Sequence, residues 1–109
     1  MASLYAAESR VSPAALVEFS GINNASGYAF SHADIRRIGG AKLFLSARDD
    51  IYGGGEAARE WYGWAKPPKQ LALVPGTEHG TDLLRPGSPQ HSRIEALITR
   101  FIATAAPPR

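Results

Sequence analysis

From Lys42 to Ala47 the chain reads Lys-Leu-Phe-Leu-Ser-Ala, apolar almost without a break over the length of one strand. A strand with one wet face alternates polar and apolar residues. A strand that is apolar on both faces has to be covered on both, as in a parallel sheet lying between layers of helix. Gln70 to Val74 repeats the pattern and is expected to form a second buried strand. Pro13 to Phe19 reads as a further short strand that ends at Ser20-Gly21.

Helical segments fall between these runs. Residues 2–9 favour helix by their alanine content. Ile22 to Ser31 is a loop of Asn, Ser, Gly and Ala, and Ala33 to Ile38 a brief helix stopped by Gly39-Gly40. Glu56 to Ala65 is expected to be a helix ended by Pro67-Pro68. Pro75 to His91 reads as a long loop. The final helix, Ser92 to Ala105, has the clearest periodicity: Ile94, Leu97, Ile98, Phe101 and Ile102 share one face. Strands alternating with helical crossovers predict a three-layer α/β fold with about three parallel strands and helices on both faces.

Composition narrows the function classes. The chain has 109 residues, enough for one domain, with 44% apolar and 20% charged residues and a net charge of +2. Its longest basic cluster is Arg36-Arg37, so nucleic-acid binding has no electrostatic footprint. No cysteine is present, which excludes disulfides, thiolate catalysis and cysteine-based zinc sites. No stretch approaches the ~18 apolar residues of a membrane span. The amino-terminal residues lack the apolar core of a secretory signal, so a cytoplasmic protein is expected.

In a parallel sheet, reactive groups gather beyond the carboxyl ends of the strands. Asp49 and Asp50 follow the run ending at Ala47, and His79 follows the run ending at Val74. An acid at one strand end and a histidine at a later one supply the base and orienting acid of a nucleophilic triad. His79 would move a proton between nucleophile and leaving group, and the acid would fix its tautomer. The flanking Gly76 and Gly80 suggest a loop free to reach across the sheet. Adjacent residues on extended backbone point opposite ways, so only one of Asp49 and Asp50 can face His79.

Three other patterns carry less. Gly53-Gly54-Gly55-Glu56-Ala57-Ala58 matches a dinucleotide fingerprint formally, but Arg48 to Tyr52 separate it from the strand and two aspartates stand there. A flexible strand-to-helix connection accounts for it better. His32, Asp34 and His91 lack metal-site spacing. Trp61, Tyr62 and Trp64 stand at helical spacing, which favours packing over a ligand box. No cofactor is implied.

Leu43 to Asp50 resembles the acid-bearing strand and turn of the α/β-hydrolase fold. Lys69 to Gly80 is similar to its final strand and histidine loop, and Ile94 to Ile102 to its closing helix. Leu4 to Glu8 followed by Ala15 to Gly21 resembles the helix and strand that come after the nucleophile elbow. The pattern is nearest that of bacterial dienelactone-hydrolase-like or serine-aminopeptidase-like enzymes. The resemblance covers nearly the whole chain and implies a C-terminal portion of such a hydrolase, with His79 as base, Asp50 rather than Asp49 as the acid, and a small ester-like substrate. The G-x-S-x-G elbow is absent: Ser3, Ser20 and Ser46 do not stand in it. The chain is therefore expected to be a truncated or split hydrolase, inactive toward esters by itself. The rival expectation is a non-catalytic interaction module whose exposed sheet edge pairs with a partner chain or a second copy. A nucleotide-binding module ranks third.

Overall fold

In the computed structural model, residues 15–19 and 31–105 are described. They form a parallel three-stranded sheet: β1 (Ala15–Phe19), β2 (Ala41–Ala47) and β3 (Lys69–Val74), in the spatial order β1-β2-β3. Three α-helices accompany it: α1 (His32–Arg36), α2 (Gly54–Trp64) and α3 (His91–Ala105). The α/β expectation holds at this level. The expected helix over residues 2–9 and most of the loop over 22–31 lie outside the described residues.

Strand β2 explains the layering. Its side chains alternate across the sheet. Phe44 joins Leu16, Ile35, Ile38, Ala57, Ala58 and Trp61 on one face, while Leu43, Leu45 and Ala47 join Val74, Leu83, Ile94 and Phe101 on the other. Both crossovers step the same way along the sheet, so handed connections place α1 and α2 together on one face. Helix α3 covers the opposite face. The continuous apolar run is thus the middle strand of the described sheet, buried from Lys42 through Ala47.

The structure corrects four details. Strand β3 is only half-buried, with Val74 alone fully covered, because it lies at an edge of the described sheet. The Pro75–His91 segment is not loop throughout: Gly80–Leu84 forms a 3-10 turn that inserts Leu83 into the α3 core. Helix α1 starts earlier than expected, because Ser31 caps it reciprocally with Asp34. The amide of Ser31 on the Asp34 carboxylate, ahead of the Ser31 hydroxyl and Arg37, holds that group below its usual pKa.

Helix α2 likewise begins at Gly54, inside the glycine run rather than after it. At the opposite end of β2, Lys42 is fully buried, and its ammonium donates to the carbonyls of Ile38 and Gly40 in the turn after α1. No helix among the described residues is long and apolar enough to cross a membrane.

Candidate active site

Strands β2 and β3 are held in register from Lys42↔Lys69 to Ala47↔Val74. Backbone bonding continues past their ends. The amides of Arg48, Asp49 and Ile51 donate to the carbonyls of Val74, Gly76 and Thr77 at 2.7, 3.1 and 3.3 Å. The turn after β2 is therefore stitched to the loop after β3, and their side chains meet at a geometry set by the sheet. Gly76 and Gly80 take φ of +121° and +57°, so they shape bends in this loop.

This stitching brings Asp50 and His79 together. Asp50 Oδ2 lies 2.7 Å from His79 Nδ1, with the aspartate side chain 0% and the histidine side chain 33% exposed. The other carboxylate oxygen, Oδ1, accepts the backbone N–H of Tyr52 at 2.7 Å. A buried carboxylate needs its lone pairs satisfied, and both oxygens are occupied here. With Asp50 accepting from Nδ1–H, the neutral ring keeps its lone pair on Nε2, the nitrogen a base uses. Asp49 is exposed, and its carboxylate is not the partner of His79.

The glycine run is what seats the acid. A Cβ on Gly54 would stand 2.7 Å from Asp50 Oδ2 and 2.8 Å from Ser46 Oγ. One on Gly55 would collide with the Arg48 carbonyl oxygen. The run is a close-packing surface, where a flexible link was expected: the first turn of α2 rests directly against the strand end and the carboxylate. A pyrophosphate at this helix start would meet that same carboxylate, which removes the physical basis for a dinucleotide site.

The remaining candidates have local work. His32 packs against the Trp64 ring at 5.8 Å, and Asp34 belongs to the α1 cap. His91 Nδ1 meets the Leu84 carbonyl, and its Nε2 lies 3.1 Å from Glu95. No group of three possible metal ligands occurs among the described residues. Trp61 is buried in the core, and Tyr62 lies under the Lys69 ammonium at 4.6 Å. Glu78, next to His79, accepts from Ser88 Oγ at 3.3 Å and ties the histidine loop to the segment before α3.

Among the described residues no hydroxyl hydrogen-bonds to His79, and Ser46 Oγ is buried and donates to the Ala47 carbonyl. Sequence reading missed Tyr52 and Gly54 as parts of the site. A glycine run opening a helix just after an acid is a signal for close helix–strand contact. Nothing in the sequence marks Tyr52. No protein-family model, curated protein or solved structure matches the chain.

Proposed function

We propose that this chain carries the base and orienting acid of an α/β-hydrolase-type acyl-transfer site, with the nucleophilic hydroxyl supplied from outside the described residues. The observation that carries this reading is the 2.7 Å contact between the buried Asp50 carboxylate and His79 Nδ1, at the carboxyl ends of two adjacent parallel strands. His79 Nε2 accepts the proton of a hydroxyl as its oxygen attacks an ester carbonyl, and returns that proton to the departing oxygen. Asp50 holds the ring and stabilises the imidazolium formed in between.

A base without a resident nucleophile can still assist water, and general-base assistance is worth about 10²- to 10⁴-fold. That help shows only on an ester with a good leaving group. Against the expectation of a chain inactive toward every ester, the purified chain should release p-nitrophenolate from p-nitrophenyl acetate faster than buffer does, by base-assisted attack of water, while leaving an unactivated ester such as ethyl butyrate intact. His79→Ala should return the rate to that of buffer. Equal rates for the wild-type chain and His79→Ala would sink the reading.

A further inference from the structure

Large apolar side chains left in water are informative when they cluster. Three are strongly exposed among the described residues, and two of them, Ile51 at 70% and Tyr52 at 62%, are consecutive. They directly follow Asp50. Tyr52 touches both members of the dyad: its amide bonds Asp50 Oδ1, and its ring meets the His79 ring edge-on, centroids 4.9 Å apart and planes at 71°. The Ile51 amide is tied to Thr77 in the histidine loop. These two residues are therefore held firmly by their backbone while their side chains stay in solvent, which is the opposite of what folding alone favours.

We propose that Tyr52, with Ile51 beside it, is the specificity platform of the Asp50–His79 dyad, and that it selects substrates with an apolar chain or aromatic ring next to the reacting carbonyl. The inference rests on the hydrolase reading and adds the substrate class. The Tyr52 ring borders the base, so a carbonyl within reach of His79 Nε2 places its neighbouring group over that ring. An acetyl group is too short to cover it. Each further methylene taken out of water strengthens binding about four-fold, and an aromatic ring adds a stacking preference.

The test uses the full chain and benzylacetone, an unreactive ketone that carries a phenyl group two carbons from its carbonyl, with acetone as the short control. Benzylacetone should shift the Tyr52 and His79 aromatic NMR signals saturably, and acetone should not. Tyr52→Phe should retain the response. Tyr52→Ser should weaken binding about ten-fold, the scale of losing a half-covered aromatic contact. Because Tyr52 is exposed and its amide survives substitution, the variant keeps its fold, which an unchanged melting temperature verifies. No saturable shift, or equal binding by Tyr52→Ser, would overturn the platform. Separately, turnover of p-nitrophenyl acetate tests the parent reading. His79-dependent turnover without benzylacetone binding discards the platform and keeps the hydrolase. Tyr52-dependent binding without His79-dependent turnover discards the hydrolase and with it the selection of substrates, leaving Tyr52 as an apolar binding surface alone.

Discussion

Strand β2 has a buried charge near each end, and the two ends are built differently. At its start, Lys42 is enclosed with its ammonium on the backbone carbonyls of Ile38 and Gly40. Beyond its finish, Asp50 is enclosed with its carboxylate on the Tyr52 amide and the His79 ring. The carbonyls around Lys42 can only accept, and they are fixed in the chain. The ring beside Asp50 is a side chain with a second nitrogen still available for chemistry. A buried charge reads as a candidate site when its partner can do something further; otherwise it reads as a clamp. Lys42 ties the turn after α1 to the sheet, and Asp50 holds the His79 ring.

The comparison can be broken from either end. The largest effect should come from Lys42→Ala, which removes a buried stem and strands two carbonyls. A loss of about 2–5 kcal/mol is expected from urea unfolding, by analogy with other large-to-alanine changes in cores. His79-dependent ester turnover measured below the unfolding range should persist; if it falls with Lys42, the two ends are coupled and the distinction fails. Gly54→Ala should cost about 1–3 kcal/mol through overpacking, and unlike Lys42→Ala it should also dislodge Asp50 from His79. The readout is the low-field His79 ring proton, which should disappear. Its survival would mean that α2 moves aside without disturbing the acid.

Asp50→Asn leaves the shape but removes the charge that steadies the imidazolium. Hydrogen bonds to charged groups are worth about 1.5–3 kcal/mol, so His79-dependent turnover should fall about ten- to hundred-fold. Smaller still is the pH response of the clamp. Burial, and after it the charges of Lys66 and Lys69, holds the Lys42 ammonium below the usual lysine value of 10.5. Between the depressed value and 10.5 the unfolded chain binds the extra proton, so stability should rise with pH across that window. Lys42→Met should flatten this slope. Asp49→Asn, at an exposed position, should change stability by no more than about 0.5 kcal/mol and leave turnover alone.

Much of the frame was legible in the residues. The β2 run announced a strand covered on both faces, and the α3 periodicity announced a helix with one apolar face, because both patterns are local and repeat with the backbone's own period. The placement of Asp49, Asp50 and His79 at strand ends followed from the same boundaries. The half-burial of β3 was not legible, since an edge strand and a central one share a composition. Nor was the turn at Gly80–Leu84, where Leu83 is buried in one core cluster with Val74 and Ile94 from elsewhere in the chain.

What the sequence by itself determined is the α/β alternation and a short list of residues able to do proton chemistry. Only the tertiary structure decided that Asp50 faces His79 while Asp49 faces water, that Gly54 lets α2 rest against the carboxylate, and that Tyr52 stands beside the His79 ring. The physical reason is range. Periodicity is a property of neighbours along the chain, whereas the dyad depends on the register of β2 against β3 and on an approach between helix and strand that leaves no room for a Cβ.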